Sequence, residues 1–524
     1  MEPTRELPHD VEALKALVAS HLQTITRQSE EIARLEHNNE VLTKMIFGRK
    51  SEKRPPVGGV AAQEHLFVQE IAAEAARLSE QHGVEATVQV AAHTREKKKG
   101  RRSVFPEHLP VIRTVSELKP EQRKCACGGE LKEFGEELSR ELERVETTVV
   151  HEIARKKYAC SSCKQGVVTA PWRGKVIEKG LLGPGFLSHL IVERFGNHLP
   201  YFRLERQYEA EGLELSRSVL CESMARCAEL LEPIADQLRR EILASPIVNT
   251  DDTPVTLAQS SEGGSKQARV WAYLNQRGRY WYEFTENRMR DGPARVFAEF
   301  KGFIQADAYR GYDRLFLPGG ATEVGCWFHA RRGFIKAERS DPVLSKEAID
   351  RIRVLFKIEE AAANLTAEDR ARLRQEKAAP LVEELRAWLD LTQTQILPRG
   401  PMGEAITYVK NQWEALTEYL KDGRLEMTNN AAERAVKPFA IGRKNWLFFQ
   451  REGGGKTASI LMSLLMTARA AGVHLGDYFK DVLLRISEPG TDVKSLTPHG
   501  WKERFEPDVT ARRHEILKKL VGAA

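Results

Sequence analysis

The hydrophobic period of this chain changes after Pro246, and that change restricts its fold more than any other feature. Ile247-Val248-Asn249-Thr250-Asp251-Asp252-Thr253-Pro254-Val255 reads as a strand ending in acids. Arg269 to Leu274 and Arg279 to Phe284 are aromatic-rich strands, separated by the hairpin residues Gln276-Arg277-Gly278. Asp291 to Phe300 has a helical pattern, and Gly302-Phe303-Ile304-Gln305-Ala306-Asp307 is a buried strand that again ends in an acid.

Three antiparallel strands, a helix and a fourth strand open a ribonuclease-H-like fold, in which the first and fourth strands are neighbours. Two carboxylates on adjacent strands can bridge two divalent ions about 3.5–4 Å apart, and hard oxygen ligands suit magnesium or manganese. A single strand-end aspartate is ordinarily a turn residue; two in this topology point to phosphodiester chemistry. Spacing does not choose between Asp251 and its neighbour Asp252. The third acid, Glu433, lies in Thr428-Asn429-Asn430-Ala431-Ala432-Glu433-Arg434, which reads as a helix start. With Asn430 as N-cap, Glu433 occupies the third helical position, where a capping box also favours glutamate. Spacing leaves it as either a cap or an ion ligand.

Between the second and third acids, Asp341 to Leu397 is helical through Ile352, Leu355, Ile358, Leu373, Leu381, Leu385 and Leu389, and reads as an insertion. Cys326-Trp327-Phe328-His329-Ala330-Arg331-Arg332 reads as a strand leading into a helix, with His329 either near the scissile phosphate or a satisfied core histidine. Arg331, Arg332, Lys437, Arg443 and Lys444 are candidate DNA contacts, and Trp446, Phe448 and Phe449 are base-stacking candidates or core aromatics. Gly453-Gly454-Gly455-Lys456-Thr457 imitates a phosphate loop, but Gln450 stands where that pattern needs glycine. The segment reads instead as a flexible glycine turn presenting Lys456 to DNA.

The N-terminal half is modular. Val11, Val18, Ile25, Ile32, Asn39 and Ile46 recur at heptad spacing, with Leu14, His21, Gln28, Leu35 and Leu42 on the second seam. This favours a two-stranded parallel coiled coil with Asn39 setting register, over an amphipathic helix packed on its own chain. A connector follows, with six basic residues against one acid between Arg95 and Arg102; it is either a phosphate-neutralising run or a solvated linker. Cys125-Ala126-Cys127 and Cys160-Ser161-Ser162-Cys163 bracket an alternating stretch, as two thiolate pairs of a structural four-sulfur zinc site do. Cys221, Cys227 and Cys326 lie in apolar surroundings and read as core residues. Pro200 to Glu211 is a helix, Gly212 breaks it, and Ser216 caps the next. Helix, short turn, helix is also the layout of a helix-turn-helix reader, with Arg217 near the start of the second helix, though an ordinary helical hairpin spaces the same way.

Composition narrows the class. The net charge of +6 over 80 basic and 74 acidic residues argues for no partner by itself. Seven cysteines, an odd number, fit a reducing cytoplasm better than a disulfide framework. No apolar run reaches the roughly 18 residues a membrane span needs, and Met1 to Glu6 has no apolar core of a secretory signal. The expected setting is the cytoplasm.

With these residues in view, the chain resembles the transposases of the insertion-sequence 66 family over nearly its whole length. The resemblance rests on Phe47-Gly48-Arg49-Lys50-Ser51-Glu52-Lys53, the cysteine pairs, Asp251-Asp252-Thr253-Pro254-Val255 and Gln305 to Asp313. It continues through Cys326 to Arg332 and, most specifically, through Asn429 to Ala435 and Gly442 to Trp446. It implies a DDE triad of Asp251, Asp307 and Glu433 holding two magnesium or manganese ions, and so favours Asp251 over Asp252. It further implies binding of terminal inverted repeats, joining of 3′-hydroxyl ends to target DNA, accessory proteins from the same element, and the cytoplasm of a bacterium as the setting, at the nucleoid when acting. The CxC pair departs from the CxxC common in such fingers, which bears on the zinc geometry.

The expected architecture is multidomain α+β: coiled coil (8–50), basic linker (51–105), zinc-binding β-hairpin module (106–172), and a helical, helix-turn-helix-like DNA-binding region (175–243). A ribonuclease-H-like α/β catalytic core (244–340 and 401–470) carries the helical insertion (341–400), and a helical tail (471–524) follows. The expected partners are DNA and further copies of the chain in a dimer or larger assembly. The competing readings are a catalytically inactive DNA-binding regulator and a ribonuclease-H-like nuclease with another substrate, since fold alone does not set substrate.

Overall fold

The computed structural model describes residues 180–522 except 260–263 and 290, together with 23–28, 148, 150–153, 157–158, 168–169 and 175–178. Residues 23–28 are helical. The rest of the expected coiled coil, the basic run and Cys125, Cys127, Cys160 and Cys163 lie outside the described residues. Lys157–Tyr158 and Val168–Thr169 pair as two antiparallel strands on either side of the second cysteine pair in sequence.

Three helices come first: α1 (Pro184–Ile191), α2 (Tyr201–Ala210) and α3 (Arg217–Leu243). As the sequence suggests, α2 starts after Pro200, the chain turns at Gly212 with φ +79°, and Ser216 Oγ accepts from the Val219 amide to cap α3. α3 runs for 27 residues, and Leu220, Met224, Cys227, Leu231, Ile234 and Leu238 on it are fully buried. They join the sheet in one apolar cluster. Cys227 and Cys326 are buried as expected, whereas Cys221 is exposed, because its position on α3 turns away from that cluster.

The sheet contains β1 (Ile247–Gln259), β2 (Gly264–Leu274) and β3 (Tyr280–Thr285). After α4 (Asp291–Val296) come β4 (Phe303–Gln305) and β5 (Thr322–Val324). The order is β3-β2-β1-β4-β5; the first three strands are antiparallel, and β4 and β5 run parallel to β1. Gly278, φ +72°, makes the β2–β3 hairpin turn, a conformation that favours glycine.

β1 is longer than the sequence indicated and outruns β4. Its exposed edge is covered from elsewhere: Ala258 N donates to Phe449 O, and Phe449 N to Thr256 O. Pro254 lacks the N–H for a ladder there, and its carbonyl accepts from Arg443 Nη1 at 2.5 Å.

The expected insertion is helical: after α5 (Trp327–Ala337) follow α6 (Pro342–Ala361), α7 (Ala367–Leu373), α8 (Ala379–Gln393), α9 (Pro401–Asn411) and α10 (Trp413–Thr417). They build a second apolar cluster around Trp327, Phe334, Ile352, Leu385 and Ile406. Arg374, fully buried, forks onto Glu359 (2.8 and 2.6 Å) and donates to the carbonyls of Tyr419, Asp422 and Leu425, fixing the segment that leads to α11 (Asn430–Trp446).

α12 (Glu452–Ala470) buries Leu461, Met462, Leu464 and Leu465 completely against the sheet and α3. Each contributes about 1.5–3 kcal/mol at most. α12 also overturns one expectation. Gly453 to Gly455 are not a flexible turn; they form its first turn, where a Cβ on Gly455 would come within 2.3 Å of Phe284. Among the described residues no helix is long and apolar enough to cross a membrane.

Candidate active site

The site begins with strand register. Asn249 pairs with Gln305 at the end of the β1–β4 ladder, and Asp251 and Asp307 each lie two residues beyond it. Alternation returns Asp251 to the face that carries Asn249 and Gln305, whose side chains are hydrogen-bonded (Asn249 Nδ2 to Gln305 Oε1, 3.2 Å), while Asp307, past the end of β4, lies near enough for its charge to act on Asp251.

The same face receives α11. Asn249 Nδ2 also donates to Asn429 Oδ1 (3.1 Å), Asn429 Nδ2 donates to Thr250 O (2.9 Å), and Asn429 N donates to Cys326 Sγ (3.2 Å). Gln305 Nε2 donates to Glu426 O at 2.5 Å. Asn249, Gln305 and Asn429 are at most 4% exposed, so the network has no water to fall back on. It fixes the start of α11, and with it Glu433, beside Asn249 and Thr250 of β1 and the end of β4.

The helix cap is Asn429, not Asn430, and its side chain makes no cap bond because the sheet takes it. Glu433 therefore sits one position later than a capping box requires. Glu433 Oε1 is buried without a hydrogen-bond partner, 3.8 Å from His329 Nε2 and 3.7 Å from Arg332 Nη2. The cap reading of Glu433 does not survive.

Asp251 and Asp252 meet different neighbours. Asp252 pairs across β2 with Trp271, on the face of Val248 and Tyr273. There its side chain, 1% exposed, is held by Arg269 (2.9 Å) and Arg288 (2.7 Å). Asp251 pairs with Ala272, on the face toward α11, and its Oδ1 accepts the Asp252 amide (2.8 Å). Burial pushes the Asp251 carboxyl up to about 7, helped by the charges of Asp307, Asp252 and Glu433 and opposed by that amide. Burial also raises Asp307, against the pull of Arg288, whose Nη2 lies 3.6 Å from it. Burial and then Arg332 hold His329 below the usual imidazole range. Asp251, Asp307 and Glu433 are thus half-buried acids whose charges act on one another, a combination that a cation would relieve.

The expected DNA contacts are placed unequally. Lys437 and Lys444 are exposed on α11, and Arg332 is exposed on α5 beside Glu433. Arg331 is half-buried, and Lys456 pairs with Glu452 one turn back on α12. Arg217 pairs with Glu205 at 3.0 Å, and Arg443 binds Thr253 Oγ1 at 3.1 Å as well as Pro254 O. Trp446 must be corrected: it is 8% exposed and packs on Phe439, Phe449 and the Arg194 guanidinium. It is a core residue because the last turn of α11 faces the sheet.

Sequence reasoning missed Arg288, Asn249 and Asn429. A polar residue inside a strand, Asn249, was the only local signal, and its partner lies 180 residues away.

Residues 179–457, which hold all three acids, match the family model described as "Transposase IS66 family". Residues 122–164, containing both cysteine pairs, match "zinc-finger binding domain of transposase IS66", and residues 34–114 match "Transposase C of IS166 homeodomain". Among curated proteins the chain is similar to "Uncharacterized protein y4qI" of Sinorhizobium fredii (strain NBRC 101917 / NGR234), 30% identical over 97% of this chain and 99% of the relative. It is also similar to y4jD (30%; 80% of this chain, 88% of the relative) and y4hP (28%; 90% and 89%) of the same strain. The chain belongs to the IS66 transposase family.

Proposed function

We propose that this chain cleaves DNA at the terminal inverted repeats of a mobile element and joins the 3′-hydroxyl ends to target DNA, with Asp251, Asp307 and Glu433 as the ion-holding carboxylates. The observation that carries the proposal is the convergence of β1, β4 and α11. Asp251 on β1, Asp307 just past β4 and Glu433 on α11 are each half-buried and near enough for the last two charges to act on the first, beside the Asn249–Asn429–Gln305 network. The strand order β3-β2-β1-β4-β5 supports reading this region as a ribonuclease-H-like core.

The donor set fits hard divalent cations. All three ligands are carboxylates, Asp251 is poised to ionise near neutrality, and Glu433 Oε1 lacks a hydrogen-bond partner. Two magnesium or manganese ions bound there would activate the attacking oxygen and stabilise the leaving one. The protein's own part is to hold the acids in register, and to set His329 and Arg332 beside Glu433, where a scissile phosphate would meet them. In this reading zinc is structural, held by Cys125, Cys127, Cys160 and Cys163, and the N-terminal heptads pair two chains.

The test is Asp307→Asn on end-containing DNA with magnesium. Cleavage and joining are expected to fall by at least about a thousandfold, equivalent to about 4 kcal/mol, with end binding retained. Strand transfer persisting in the variant overturns the assignment.

A further inference from the structure

Cys326 is the last residue before α5 and His329 lies on its first turn, at a C-x-x-H spacing that sets both on one side of the helix start. Glu433, on the first turn of α11, faces them. One ligand atom from each of the three lies within 4.8 Å of the others, and His329 Nε2 and Glu433 Oε1 are 3.8 Å apart. Tetrahedral zinc would set such atoms roughly 3.3–3.6 Å apart, so closing the set takes side-chain movement on the order of an ångström. His329 Nδ1 and Glu433 Oε1 are both buried without a hydrogen-bond partner. The Cys326 sulfur already accepts the Asn429 amide, the outer bond that orients a thiolate ligand.

We propose that Cys326, His329 and Glu433 form a binding site for thiophilic divalent cations such as zinc, separate in chemistry from the magnesium set but sharing Glu433 with it. Sulfur and imidazole donors suit zinc or cobalt and not magnesium. Three protein ligands leave a fourth position open to water. Binding releases the Cys326 thiol proton to solvent. An entry path exists: a groove of about 350 Å³ lined by His329, Arg332, Lys336, Glu404 and Tyr408 opens beside the cluster. Arg332 is the opposing charge, and its half-exposed side chain can swing out.

The functional consequence, which rests on the proposed catalytic role of Glu433, is inhibition. A thiophilic ion here takes the Glu433 carboxylate away from the magnesium set.

The experiment uses the full chain presaturated with one equivalent of zinc and titrated with cobalt(II). Wild type is expected to gain a sulfur-to-cobalt charge-transfer band saturating at one extra equivalent per chain. Cys326→Ser and His329→Gln are expected to lose that increment with unchanged circular dichroism. In parallel, zinc is expected to inhibit magnesium-dependent cleavage, with the midpoint, taken against each protein's own zinc-free rate, raised at least about tenfold in Cys326→Ser. Identical cobalt spectra in wild type and Cys326→Ser overturn the site. A normal cobalt increment in a chain with no magnesium-dependent cleavage upholds the site and sinks the catalytic reading instead.

Discussion

The Arg288 guanidinium grips Asp252 through Nε at 3.0 Å and Nη2 at 2.7 Å while its face lies 4.0 Å from the Tyr309 ring centroid. With Arg269 on the other oxygen, Asp252 is neutralised twice, whereas Asp251 accepts only a backbone amide. Adjacent acids on one strand therefore have different work to do.

Replacing Asp252 is accordingly a stability experiment. Asp252→Ala leaves Arg269 without its carboxylate and Arg288 with only the longer contact to Asp307, and because Arg288 is partly solvated the cost falls toward the lower end of the about 3–5 kcal/mol of a broken buried pair. Thermal unfolding should show a clear fall in Tm for Asp252→Ala. Asp251→Asn should unfold no earlier than wild type, yet lose cleavage. Equal Tm losses in both variants would contradict the division of labour.

pH separates the two in another way. The Asp251 carboxyl is raised from an ordinary 3.8 to about 7 in the folded chain, so between these values the folded state holds a proton that the unfolded state has lost. Stability from this group is fully present below about pH 4 and is lost as pH rises through about 7; Asp307, also raised, acts in the same direction. In chelator, Tm of wild type is expected to decline over that window more than Tm of Asp251→Asn. Magnesium binding below pH 7 should release protons, read as a buffer-dependent heat in titration calorimetry.

Asn429 is expected to control catalysis without touching substrate. Asn429→Ala removes one of the two acceptors of Asn249 Nδ2, which keeps Gln305, and the side-chain donor to the Thr250 carbonyl, a loss of about 1–3 kcal/mol, and loosens the start of α11. Cleavage should drop more steeply than end binding. Denaturant unfolding paired with a nicking assay measures both, and unchanged cleavage would show that Glu433 is positioned some other way.

The heptads between Val11 and Ile46 predict self-association. Deleting residues 1–50 is expected to lower the mass in solution from a dimer or larger species toward a single chain, and to impair pairing of two DNA ends. Light scattering on both chains decides this; an unchanged subunit count would assign the heptads to packing within one chain.

Local pattern carried most of the secondary structure. The strand-hairpin-strand run after Pro246, the Gly212 turn and the Ser216 cap follow from period and turn chemistry, which act over a few residues. Element ends were less legible: β1 runs on to Gln259 because β2 pairs with it as far as Gly264, and Phe449, distant in sequence, bonds to its other edge. Trp446 and the Gly453 to Gly455 segment were misjudged for the same reason, since burial against a remote strand has no local signature.

The acids show the division most plainly. By itself the sequence placed Asp251 and Asp252 on one strand, Asp307 just past another and Glu433 near a helix start, and its motifs carried the family resemblance; that β1 continues past the two acids to Gln259 came from the structure. Only the tertiary structure decided that Asp252 is bound by two arginines and that Asn429 spends its side chain on the sheet instead of capping α11. Hydrogen bonds and ion pairs between residues up to 180 positions apart made those choices. Such partners depend on how strands and helices pack, which no local spacing encodes.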